Sequence, residues 1–165
     1  MDRIRLKDGR IYTFTHTEVM GIVNVTPDSF YAASRNSVEE AAAYAERLIR
    51  EGAQIIDVGG ESTRPGAEEV SPEEECRRVC PVIAEIREKH PEILISIDTY
   101  HAETAKAAVS AGADIVNDIS AMEFDPAMPG TVAELGVPVI LMHTGGSPKE
   151  MQKDPQYEDV VKDVR

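Results

Sequence analysis

Glu51-Gly52-Ala53-Gln54-Ile55-Ile56-Asp57 returns sixty residues further on as Ala111-Gly112-Ala113-Asp114-Ile115-Val116-Asn117. Each copy sets a glycine suited to end a helix directly before a short apolar run suited to a buried strand. An αβ junction repeated at the spacing of two βα units predicts a parallel sheet of the (β/α) barrel type. Working outward, five strand candidates emerge: Val19–Asn24, Ile55–Val58, Leu94–Asp98, Ile115–Asn117 and Val139–Met142. Helical periods lie between them, which is the α/β alternation of parallel sheets.

The helices carry their own punctuation. Val38, Ala41, Ala42, Ala45, Leu48 and Ile49 form one apolar face, with Ser37 and Glu40 spaced as a capping box and Gly52 as the stop. Ser71-Pro72-Glu73-Glu74 opens the next helix as a capping box with proline at its first position. Pro81 is expected to kink that helix. A third helix is predicted from about His101 to Ala111, a fourth after Pro126, and a fifth after Pro148 or Pro155.

Composition narrows the class. The 165 residues suffice for one domain with a sizeable core, and 42% apolar with 28% charged residues excludes a disordered or fibrous chain. A net charge of −13 argues against a nucleic-acid partner. There is no apolar run of about 18 residues, so no membrane partner is expected. The polar start MDRIRLKDGR lacks the apolar segment of a secretory signal. Cys76 and Cys80 are expected to join Val79, Ile83 and Ile86 on a helix's core face as free thiols, which fits a reducing cytoplasm.

Every strand candidate ends in a polar group: Asn24, Asp57, Asp98 and Asn117, with His143 just after the last. Ligands of α/β folds bind at the carboxyl ends of the strands, so these tips predict a single site. Carboxylates and amides read the donors and acceptors of a flat heterocycle, and an amide oxygen such as that of Asn24 suits Mg²⁺ bridging to phosphate. The loop Gly59-Gly60-Glu61-Ser62-Thr63-Arg64-Pro65-Gly66 reads equally as an anion cradle and as an ordinary turned loop. The chain contains no GxGxxG, Walker A, HExxH or GxSxG pattern.

Met20-Gly21-Ile22-Val23-Asn24-Val25-Thr26-Pro27-Asp28-Ser29-Phe30 and Ile56-Asp57-Val58-Gly59-Gly60-Glu61-Ser62-Thr63-Arg64-Pro65-Gly66 closely resemble the two opening signatures of the dihydropteroate synthase family. Ile95-Ser96-Ile97-Asp98-Thr99, Asn117-Asp118-Ile119 and Leu141-Met142-His143 continue the resemblance. It implies a (β/α)₈ barrel that joins 6-hydroxymethyl-7,8-dihydropterin pyrophosphate to p-aminobenzoate for folate synthesis, and is the target of sulfonamides. By motif, Asn24 would touch Mg²⁺, Asp98 and Asn117 would hold the pterin, and Met142 would pack on its ring. Thr63 would contact the pyrophosphate-bearing substrate, while Phe30, Arg64 and Pro65 would close over the p-aminobenzoate. The resemblance assigns Asp98, Asn117 and Arg64 to catalysis, and a homodimer to the full-length protein.

Two departures stand out. Where the family continues its first loop with Ser-Asp-Gly, this chain has Tyr31-Ala32-Ala33-Ser34, so Ala32 replaces the loop acid. A whole barrel takes about 250 residues, so residues 1–165 are expected to form a single domain of about five βα units that is incomplete at its C-terminal side. By themselves they are expected to bind pterin weakly and to form no dihydropteroate. The alternatives are a pterin-binding methyltransferase on the same barrel, against which Phe30 and Ser62-Thr63-Arg64-Pro65-Gly66 argue, and a non-catalytic half-barrel binding module.

Overall fold

The computed structural model describes residues 3–26, 35–61, 69–143 and 158–163. Two sheets and five helices are described within them. A small antiparallel pair, β1 (Arg3–Arg5) and β2 (Ile11–Thr13), precedes a five-stranded parallel sheet of β3 (Met20–Asn24), β4 (Ile55–Gly59), β5 (Leu94–Asp98), β6 (Ile115–Asp118) and β7 (Val139–Leu141). The helices are α1 (Arg35–Arg50), α2 (Pro72–Lys89), α3 (Ala102–Ala111), α4 (Met128–Leu135) and α5 (Val160–Asp163). All five predicted strands are present to within about a residue at each end.

The large sheet keeps its strands in chain order, β3-β4-β5-β6-β7, with no reversal. Successive helices α1 to α4 pack against one another, which puts them side by side on one face of the sheet. That is barrel-type winding, because a doubly wound sheet would reverse its strand order and split its helices between faces. The helix-covered face is the main core: Val23, Ile56, Val58, Ile95, Ile97 and Val116 from the strands meet Ala41, Ala45, Val79, Ile83, Ile86, Ala105, Ala108 and Met128. Each fully buried Val or Ile contributes about 1.5–3 kcal/mol.

The hairpin β1–β2 closes the amino end of the sheet. Its chain reverses through Asp8-Gly9, where Gly9 takes φ +86, and Arg10 donates its backbone N–H to Asp8 Oδ1 at 2.9 Å. Leu6 is thereby buried against Ile55, Leu94 and Ile115, the first residues of β4, β5 and β6, with Ile4, Tyr12, Phe14 and Met20 around them. An Asp-Gly pair between alternating apolar residues is a hairpin signal, and β1 and β2 add to the five strands expected.

The local signals are met at the start of α2 and adjusted at the start of α1. Ser71 caps α2 as expected, accepting from the Glu74 N–H, and Pro72 stands at its first position. The helix then runs through Pro81 as one element. Ser37 is not the N-cap of α1: the helix already includes Arg35, which puts Ser37 inside its first turn. On α2 the fully buried stripe is Glu75, Val79, Val82, Ile83 and Ile86, while Cys76 and Cys80 are free and only half-buried. Cys80 packs against that core as expected, and Glu75 adds a carboxylate to the buried stripe. No helix among the described residues is long and apolar enough to cross a membrane.

Candidate active site

Parallel pairing places residues of neighbouring strands in transverse rows whose side chains share a face. On the face opposite the helices, the row nearest the carboxyl ends reads Asn24, Gly59, Asp98, Asn117 and Ile140. The row beneath it reads Ile22, Asp57, Ser96 and Ile115. Four of the five predicted polar tips thus stand on the face opposite the helices, in two adjacent rows. Met142 follows at the end of β7, 37% exposed, its N–H donating to the Asp118 carbonyl at 3.1 Å.

Gly59 opens the centre of the outer row. A Cβ built there would lie 3.4 Å from Asn24 Oδ1 and 3.5 Å from Asp98 Oδ2, so both side chains border the volume that the missing methyl leaves free. A neutral amide oxygen beside such a cradle offers a hard ligand to an ion that keeps most of its waters, as Mg²⁺ does. Among the described residues no group of three or more His, Cys, Asp or Glu is arranged to hold a metal by itself.

The electrostatics single out Asp98. Burial pushes its carboxyl up to about 7, reinforced by the negative charges of Asp57, Glu75, Asp118 and Glu61. Asp57, 4% exposed, is raised chiefly by burial, with Ser96 and Asn117 drawing it part of the way back. Asn117 Nδ2 donates to Asp57 Oδ2 at 3.2 Å. Asp118 points elsewhere: fully buried, it accepts from the backbone and hydroxyl of Ser120 at 2.7 Å and from the Met122 N–H. Its carboxylate organises the turn in which Ala121 and Met122 take positive φ.

Behind the row lies a polar network that periodicity did not reveal. Glu75 Oε2 accepts from Thr99 Oγ1 at 3.0 Å and contacts His101 Nδ1 at 2.9 Å. That hydrogen bond raises the His101 pKa above its ordinary value. Glu61 Oε1 accepts from the Tyr100 hydroxyl at 2.8 Å, and Arg78 Nη1 donates to the Gly60 carbonyl at 2.9 Å. The ends of β4 and β5 are therefore tied to α2 and to each other. The signal available in the sequence was an acid, Glu75, at i−4 from Val79 on an apolar stripe.

Of the residues predicted for the site, the structure brings together Asn24, Asp98 and Asn117, with Met142 at the rim. Phe30, Thr63, Arg64 and Pro65, along with Ala32, lie outside the described residues.

A family described as "Pterin binding enzyme" matches residues 20–165. Dihydropteroate synthase of Escherichia coli K12 is 48% identical over 157 residues, covering 94% of this chain and 55% of the relative. The structure of Xanthomonas albilineans dihydropteroate synthase with 4-aminobenzoic acid superposes with a TM-score of 0.82 at 46% identity, over 98% of this chain and 56% of that one. The Yersinia pestis enzyme in complex with a sulfonamide drug gives 0.87 at 40% identity, over 99% and 58%. The chain thus spans about half the length of the curated relatives it matches, and its five βα units correspond to part of their TIM barrel. With this match running through all five strands of the parallel sheet, the chain belongs to the pterin binding enzyme family.

Proposed function

We propose that this chain supplies the pterin and pyrophosphate wall of a dihydropteroate synthase, which joins 6-hydroxymethyl-7,8-dihydropterin pyrophosphate to p-aminobenzoate. The observation that carries the reading is the single row of Asn24, Gly59, Asp98 and Asn117: a hard oxygen, an open cradle, a carboxylate and an amide side by side.

In this reading Asp98 and Asn117 hydrogen-bond the polar edge of the pterin, and Met142 covers its ring. An edge rich in N–H donors binds the ionised form of Asp98, so ligand binding draws off the proton that burial favours in its absence. As the C–O bond to pyrophosphate breaks, its electron pair leaves with the pyrophosphate and positive charge spreads from the methylene into the pterin. Asp98 is the preorganised negative group that stabilises this charge. The amine of p-aminobenzoate then forms the C–N bond and gives up a proton. Asn24 would hold Mg²⁺, which when bound would neutralise charge on the pyrophosphate. Thr63 would contact the pyrophosphate-bearing substrate, and Phe30, Arg64 and Pro65 would border the p-aminobenzoate.

The test is a titration of 6-hydroxymethyl-7,8-dihydropterin pyrophosphate into the chain with Mg²⁺, read by pterin fluorescence. Saturable binding that weakens at least about tenfold in Asp98→Ala is expected, for the loss of a charge-assisted hydrogen bond. Equal affinity in the two proteins, or no saturable binding by the unsubstituted chain, would overturn the reading.

A further inference from the structure

Asp57 is the strand tip that the proposed chemistry leaves without a role, and it is the most deeply buried of them. It does not share the row of Asp98 and Asn117; it stands one row nearer the closed amino end, beside Ser96. The short Ser96 side chain leaves room for Asn117, on β6, to reach across β5 and donate from Nδ2 to Asp57 Oδ2 on β4 at 3.2 Å.

A carboxylate has no N–H to give, so only the amide's NH₂ can meet it. The planar amide then directs its oxygen away from Asp57. With the NH₂ held by Asp57, the amide oxygen is the Asn117 acceptor left for a ligand, and Asp98 stands next to Asn117 in the same row.

We propose that Asp57 is a positioning residue that sets the hydrogen-bonding sense of the site. By holding the Asn117 NH₂ it makes Asp98 and Asn117 present acceptors together, and so selects a heterocycle edge carrying adjacent N–H donors. The inference rests on the pterin reading for its ligand, while the orientation of Asn117 stands on the geometry alone. It also gives the internal repeat a physical meaning, since Asp57 and Asn117 are the equivalent last residues of its two copies.

The experiment compares the full chain with Asp57→Asn and with the swapped pair Asp57→Asn/Asn117→Asp, each checked for its melting transition by circular dichroism. In D57N the new amide offers either an oxygen or an NH₂, so Asn117 loses its fixed sense. In the swap, the amide at 57 donates to one oxygen of the carboxylate at 117, and the other oxygen is again the acceptor left for a ligand. Pterin affinity is expected to fall about tenfold in D57N, the worth of one well-oriented hydrogen bond. The swap is expected to restore it to within about threefold. A folded D57N that binds as tightly as the unsubstituted chain would overturn the proposal, and so would a swap no tighter than D57N.

A ligand-free readout separates this inference from the proposed function. One Asn117 side-chain amide proton in the ¹⁵N-labelled chain is expected downfield of ordinary side-chain amides, moving upfield in D57N. An unshifted resonance overturns the positioning role whatever the chain binds. A shifted one in a chain that binds no pterin removes the proposed function and leaves Asp57 orienting Asn117.

Discussion

Asn24 Oδ1 and Asp98 Oδ2 close on the same empty volume from two strands away, because Gly59 between them carries no side chain. The Cβ it lacks would stand 3.4 Å from the first and 3.5 Å from the second. These are ordinary van der Waals separations, so an alanine fits without displacing either group; what it removes is the space. Gly59→Ala is expected to keep its stability to within about 1 kcal/mol, the ordinary range of a Gly-to-Ala change in a strand. Its affinity for a pterin pyrophosphate with Mg²⁺ is expected to fall about tenfold or more. Urea denaturation and fluorescence titration measure the two, and a variant that binds normally would show that nothing occupies the cradle.

Asp98 should make stability depend on pH. Its carboxyl is held at about 7 in the folded chain against 3.8 as an ordinary aspartate. Between those values the folded state keeps a proton that the unfolded state has lost. Stability from this group is therefore present at low pH, declines as pH rises from about 4 to about 7, and levels off above. The slope is up to about 1.4 kcal/mol per pH unit. Asp57, Glu61 and His101 are also shifted upward, so they act with the same sign. The difference between the unsubstituted chain and Asp98→Asn isolates Asp98. Urea midpoints from pH 5 to 8 should converge toward D98N at low pH and fall below it at high pH, and parallel curves would refute the shift.

Glu75 is buried to 1% exposure, and its Oε2 serves both Thr99 and His101. Glu75→Ala would strand the hydroxyl and the imidazole together, at a cost of about 3 kcal/mol, typical of breaking a buried pair. Glu75→Gln keeps one acceptor and should lose about half as much. A double-mutant cycle of E75Q with His101→Asn measures the coupling. Strict additivity would mean that the contact contributes nothing.

Arg87 joins segments that are far apart in the chain. Its Nε and Nη2 donate to the Gly112 carbonyl, Nη1 donates to the carbonyls of Pro91 and Ile93, and Nη2 pairs with Asp114 Oδ2 at 2.5 Å. That planar fork holds the end of α2 to both junctions leading into β5 and β6. Arg87→Ala is expected to lose about 2–3 kcal/mol by chemical denaturation. Arg87→Lys should recover little of it, because an ammonium offers no fork. Full recovery by lysine would reduce the role to simple charge.

What could be read in the chain alone is what depends on near neighbours. Apolar period, helix-ending glycines and capping serines act over a few residues, and they located all five strands of the sheet and the start of α2. The same locality put Asn24, Asp57, Asp98 and Asn117 at strand ends, since strands alternate faces and end where apolar runs end. Which tips share a row, and which lie beneath, was decided by register. That is a relation between strands separated by tens of residues. Register alone brings Asn117 within 3.2 Å of Asp57, and assembly alone buries Asp98 among four other carboxylates so that its proton is held to about pH 7. Glu75 in the core and Leu6 under the sheet belong to the same class: the partners that make those positions favourable come from other elements. Local sequence marked the strand tips; non-local packing decided their partners, their protons and the direction in which they face.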